Sequence, residues 1–96
     1  MSEDFQILVH NNEGNLHLKL MGDFDEDSAR EVLKAVRDKS HATSRVFIHT
    51  NGLHQIYPKA QKVFQENIDS MELQSIPVLF TGEKADQLAP NENILR

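Results

Sequence analysis

Two short apolar runs, Val46-Phe47-Ile48 and Val78-Leu79-Phe80, constrain this chain more than any other feature. Consecutive apolar residues place hydrocarbon on both faces of a strand, which reads as a buried, central strand. Between the runs, Ala60, Val63, Phe64, Ile68 and Met71 recur at helical spacing. Pro58 opens that segment at the one helical position where a missing N–H costs nothing. Strand, helix and strand in this order require a parallel crossover, expected to be right-handed.

The first half of the chain adds a hairpin and a helix. Phe5, Ile7 and Val9 alternate with Gln6, Leu8 and His10, a strand with one greasier face. Asn11 to Asn15 is dense in turn formers, and Gly14 is free to take positive φ. Leu16, Leu18 and Leu20 then alternate with His17, Lys19 and Met21, so the first two strands are expected to pair antiparallel. Gly22 to Asp25 breaks the pattern. Ala29, Val32, Leu33 and Val36 follow at helical spacing. Asp25, Asp27 or Ser28 is placed to cap that helix, and Ser28 with Glu31 has capping-box spacing. Residues 39–44 form the polar connection out.

Strands are therefore expected at 16–21, 45–50 and 76–81, with a loop over Asn51–Tyr57. Pro77 sits at the start of the last strand, where a strand tolerates it. A short helix follows over Glu83–Leu88 and stops at Ala89-Pro90-Asn91. The expected class is α/β: a small mixed four-stranded sheet with an N-terminal antiparallel hairpin, parallel crossovers and two main helices on one face.

Ninety-six residues make one domain, 1–96, and the 39% hydrophobic content suffices for one modest core. Acidic residues outnumber basic ones by 15 to 10, and the net charge of −5 argues against nucleic-acid binding, which needs a basic surface. The absence of cysteine removes disulfides, thiolate metal sites and thiol nucleophiles, and it fits a reducing cytoplasm. No apolar run approaches bilayer-spanning length and no signal-peptide pattern opens the chain, so no membrane insertion is expected.

Catalytic spacing is absent. Asp23 and Asp25 flank Phe24, but two carboxylates alone make a poor metal site, and a cap at Asp25 with a solvated Asp23 is the simpler reading. His49 and His54 lack a zinc spacing, and His10 and His17 face each other only as hairpin neighbours. There is no nucleophile–base–orienter set and no glycine-rich phosphate cradle. No enzyme activity, cofactor or metal is expected.

The words Leu18-Lys19-Leu20-Met21-Gly22-Asp23-Phe24-Asp25, Ser28-Ala29-Arg30-Glu31-Val32-Leu33 and Val46-Phe47-Ile48-His49-Thr50-Asn51-Gly52-Leu53, in this order, resemble the STAS domain. That is the fold of bacterial anti-sigma-factor antagonists and of the cytoplasmic tails of sulfate transporters. The likeness runs from about Phe5 to Leu88. Ile56-Tyr57-Pro58-Lys59-Ala60 falls where the family commonly has a hydrophobic residue followed by Asp-Ser-Ser-Gly, whose second serine accepts phosphate from a partner kinase. By position that serine is Lys59, and the preceding Asp and Ser are Tyr57 and Pro58.

The resemblance implies a non-enzymatic, protein-binding regulatory module without the usual phosphate acceptor. It would dock through Asp23, Asp25, Asn51, His54, Tyr57, Pro58 and Lys59, with Gln61, Lys62 and Gln65 on the exposed side of the following helix. The implied partner is an anti-sigma factor, a kinase-like regulator or a subunit of a transport complex. The family usually continues further than this chain, so an uncovered edge or face would favour a homodimer. A second class stays open, a carrier of an anion, nucleotide or lipid, with Lys59 beside a helix start to meet the anion. The plain alternative for Lys59 is a solvated surface lysine.

Overall fold

The computed structural model describes residues 5–39, 43–71 and 77–88, with the backbone alone for 69–71. The elements are β1 (Gln6–Asn12), β2 (Asn15–Phe24), α1 (Glu26–Lys39), β3 (Arg45–Ile56), α2 (Pro58–Met71), β4 (Val78–Thr81) and α3 (Ala85–Leu88). The strands lie in the order β1-β2-β3-β4. β1 pairs antiparallel with β2, and β2–β3 and β3–β4 are parallel. This is the mixed sheet expected from the sequence. Ser40 to Ala42, Ile76, the Met71 side chain and Ala89-Pro90-Asn91 lie outside the described residues.

The hairpin closes on two residues. Asn12 pairs with Asn15, and between them Glu13 has φ 51° and Gly14 φ 87°. Two positive φ angles make the type I′ turn, whose twist matches that of the strands it joins.

Register builds the core. Leu16, Val46 and Val78 form one row across the sheet, and Leu18, Ile48 and Phe80 form the next. All six are buried on the same face. Val32, Leu33 and Val36 of α1 and Ala60, Phe64 and Ile68 of α2 close over them. Phe64 holds this core together from α2. Its ring meets Phe24 at 5.6 Å and Phe80 at 5.8 Å, both edge-on, the arrangement that aromatic quadrupoles favour. Phe24 turns inward and is fully buried, and Phe5 packs edge-on against it.

Four expectations need correction. Gly22 to Phe24, expected to break the strand pattern, continue β2 and stay paired with β3. The greasier face of β1 is shallow: Ile7 is half-buried, but Val9 is 45% exposed and Leu8 on the other face 52%. Among the described residues β1 is an edge strand, with a neighbour on one flank. Val63, expected in the buried stripe of α2, is partly buried at its margin. The expected loop over Asn51–Tyr57 is mostly strand, because β3 runs on to Ile56.

The cause of that extension is a pair of bulges. Between Lys19↔His49 and Met21↔Gly52, β3 spends three residues where β2 spends two. Between Gly22↔Leu53 and Asp23↔Gln55 it spends two against one. Each extra residue shifts the side-chain phase, so the period-two signal disappears while pairing continues. Gly52 permits the first bulge. A Cβ there would lie 2.6 Å from the Leu20 carbonyl oxygen and 2.6 Å from Met21 Cγ. The carbonyl belongs to a paired strand and cannot yield. Gly52→Ala is therefore expected to destabilise the fold by about 1–3 kcal/mol, read as a lower urea midpoint with an unchanged m-value.

Candidate functional site

β2 and β3 are parallel neighbours, so both deliver their C-terminal ends to the same side of the sheet, and both helices start there. The Tyr57 N–H donates to the Phe24 carbonyl at 3.0 Å, which fixes the two strand ends side by side. Asp25 then caps α1. Its Oδ1 accepts from the Ser28 N–H at 2.9 Å, and the buried Ser28 hydroxyl lies 2.9 Å from the same oxygen and 3.1 Å from the Asp23 carbonyl. The Ser28 N–H bond holds the Asp25 carboxyl below the usual carboxylate range. Of the three expected caps, Asp25 takes the role. Ser28 lies inside the first turn, and the Ser28–Glu31 box is not used.

α2 begins without a side-chain cap. The Tyr57 carbonyl accepts from the Gln61 N–H at 3.0 Å, and Pro58 carries no N–H. Lys59 follows in the first turn, exposed, with Tyr57 38% exposed beside it. Asp25, Glu26, Tyr57, Pro58 and Lys59 line an open hollow of about 470 Å³ between the two helix starts. Within it Asp25 and Glu26 face the start of α2, and Lys59 forms no ion pair among the described residues.

The other expected contact residues divide. Lys62 is exposed one turn beyond Lys59 on α2, and Gln61 is half-buried. Asp23 is half-buried and holds Ser28 through its main chain. His54 is exposed near the end of β3, away from the hollow's lining. Asn51 and Gln65 have structural duties. The Asn51 Oδ1 accepts from the Glu83 N–H at 3.2 Å, and the Gln65 Nε2 donates to the Gln87 carbonyl at 2.9 Å. Both hold the β4–α3 segment in place.

A second cluster occupies the sheet face opposite the helices. His17 of β2 stacks on Phe47 at 4.9 Å and on His49 at 5.2 Å, both of β3. His17 Nδ1 and His49 Nε2 lie 2.9 Å apart, and His49 Nδ1 lies 2.6 Å from Thr81 Oγ1 of β4. One proton per ring satisfies this row; two imidazolium rings would set donor against donor. Burial, with the neighbouring His17 and Lys19 charges, pushes His49 below the ordinary imidazole range. His10 and His17 pair across the hairpin as expected, with ring centroids 6.1 Å apart. The sequence pattern alone does not show the His17–His49 contact, because it fixes no register between β2 and β3. Among the described residues no group of three or more His, Cys, Asp or Glu is arranged to hold a metal ion.

No protein-family model matches the sequence, and no curated protein matches it. Solved structures do. The anti-sigma-factor antagonist SpoIIAA in its unphosphorylated form matches 81% of this chain and 72% of its own at TM-score 0.57, with 11% identity. This chain has a STAS-like fold. A SpoIIAA-like protein of the DUF3478 family from Shewanella loihica matches 86% of this chain and 69% of its own, with TM-score 0.54 and 11% identity. The protein Mglu aligns over 92% of this chain with TM-score 0.69 and 19% identity, and this chain spans 20% of its length. Among the described residues no helix is long and apolar enough to cross a membrane.

Two measurements test these clusters. Asp25→Ala removes the α1 cap and is expected to cost about 1 kcal/mol in denaturant unfolding. The His49 imidazole is depressed in the folded state, so the unfolded chain binds the extra proton first as pH falls. Its contribution to stability is complete above the ordinary value of 6.5 and is lost as pH falls from there toward the lowered folded value. The urea midpoint is expected to drop as pH falls through the ordinary imidazole value of 6.5, and His49→Gln is expected to flatten that drop.

Proposed function

We propose that this chain is a non-enzymatic docking domain that holds a protein partner at the corner where α1 and α2 begin. The observation that carries this reading is an exposed Tyr57 beside a Lys59 that forms no ion pair among the described residues, around a hollow walled by Asp25 and Glu26. Tyrosine supplies a large contact area with a polar tip at little entropic cost, as interface anchors do. Pro58 fixes the backbone between the two residues, so their spacing is set before a partner arrives. Lys62 extends the same exposed side of α2.

The STAS-like fold supports the regulatory class, and by resemblance the partner is an anti-sigma factor, a kinase-like regulator or a subunit of a transport complex. In this reading Lys59 stands where the antagonists carry their phosphate-accepting serine. A lysine has no hydroxyl to phosphorylate, and its cation is the reverse of a phosphate. Docking is then constitutive at this corner, and any control acts elsewhere.

The hollow itself favours a second reading, a small-ligand site of about 470 Å³. Asp25 and Glu26 already place carboxylates at its wall, which weakens it as an anion cradle and leaves the protein-docking reading ahead.

Affinity capture from the native host tests the first reading. The wild-type chain is expected to retain one dominant protein that both Lys59→Glu and Tyr57→Ala lose, with no phosphate on residues 56–60 by mass spectrometry. Capture indifferent to both substitutions would refute it. Thermal unfolding with phosphate, nucleotides and fatty acids tests the second reading, for which a raised midpoint is required; a flat response is expected.

A further inference from the structure

We propose that the cleft between α1 and α2 is a second docking groove, one that receives an acidic amphipathic helix from a protein partner. The cleft is separate from the Tyr57–Lys59 corner and shares no lining residue with it. It is open and holds about 400 Å³. Its floor is apolar, made by Leu33 of α1 and the partly buried Val63 of α2. Its wall is basic, made by Arg30, Lys34 and Arg37. Asp38 is the one carboxylate in the lining, and Asn67 contributes an amide tied to the Val63 carbonyl at 2.7 Å.

Three facts single out this wall. The chain carries a net charge of −5, yet this cleft gathers three cations against one carboxylate. The cations stand at i, i+4 and i+7 on α1, so they line up along one side of the helix, where like charges oppose helix formation. Arg30 is relieved by Glu26 at 3.9 Å and Asp27 at 3.4 Å, both exposed. Lys34 and Arg37 have no ion pair among the described residues. Arg37 suits the C-terminal half of the α1 dipole, whereas mid-helix Lys34 gains nothing from it. An acidic partner repays this arrangement by charge complementarity, and it is repelled by the chain's net charge on approach from other sides.

The spacing fits a helix. The three cationic positions span about 10 Å along α1 at 1.5 Å per residue. A ligand helix with Glu at i, i+4 and i+7 presents carboxylates over the same length. A Leu beside them enters the Leu33–Val63 floor, the helix-in-groove mode.

A labelled synthetic peptide of about 16 residues, helical, with Glu at those positions and Leu on the adjoining stripe, is the probe. Fluorescence anisotropy is expected to show saturable binding that weakens as salt rises from about 50 to 500 mM. Lys34→Glu with Arg37→Glu is expected to weaken it about tenfold or more. Lys59→Glu is expected to leave it unchanged, which separates this groove from the corner described above. Amide shifts on titration are expected along α1 and α2 around Leu33 and Val63. Both substituted side chains are exposed, and an unchanged urea midpoint shows the variant folded; should it not fold, Lys34→Gln with Arg37→Gln serves instead. The proposal is overturned by no wild-type binding up to about 1 mM peptide, by equal binding of the folded double variant, or by equal binding of a peptide with Lys for Glu. Capture of phosphatidylglycerol-containing vesicles in preference to the peptide would also overturn it, in favour of a membrane surface.

Discussion

One hydrogen bond, from the Tyr57 N–H to the Phe24 carbonyl, sets the geometry on which the candidate site depends. It joins the last residue of β2 to the first residue after β3. Two parallel strands that end together launch their helices from the same corner, and the cap of α1 then faces the proline-led start of α2. That bond closes the ladder just beyond the Phe24↔Ile56 pair, where the extra residues of β3 end. The bulges bring the strand end there: β3 takes more residues than β2 over the same length, and Gly52 is the residue whose missing side chain lets the two backbones approach.

Much of the architecture is legible in the amino-acid order because it rests on burial. Leu16, Leu18 and Leu20 alternate, and residues 46–48 and 78–80 are apolar throughout, so strand identity and the core follow from hydrophobic pattern alone. The hairpin and the positive φ of Gly14 follow from the turn-forming run, whereas the positive φ of Glu13 that completes the type I′ turn does not show in the sequence. What escaped is whatever depends on register. Residues 51–56 look like a loop because bulges scramble their alternation while the ladder persists. Asn51 looks like a contact residue because it is polar and near the site, yet its amide oxygen is committed to the backbone after β4. His17 and His49 are far apart in the chain, and only parallel pairing places their nitrogens 2.9 Å apart.

The two faces of the sheet divide the work. One is a conventional aliphatic and aromatic core under two helices. The other, uncovered by any described element, is held by stacked rings and a short row of polar contacts from β2 through β3 to β4. Cross-strand pairs of this kind supply stability that burial cannot supply on an open face. Because His49 is an imidazole whose charged form is disfavoured by burial, that support weakens as it takes up a proton. Among the described residues the helix-covered face has no comparable group: the buried polar side chains are Ser28 and Thr50, and the Thr50 hydroxyl donates to the Thr81 carbonyl at 2.8 Å.

β1 has a further consequence. Between residues 6 and 12 it contains no Lys, Arg, Asp, Glu or Pro, and no bulge interrupts its pairing with β2. Natural sheets usually guard such a margin with charge or irregularity. Here every second residue of β1 turns its amide and carbonyl away from β2, toward a flank that no described element covers, over a longer stretch than in the four-residue β4 at the far side. Sheet growth at high concentration therefore favours the amino-terminal rim, and a single lysine placed there would act as a gatekeeper against fibrillar or swapped assemblies.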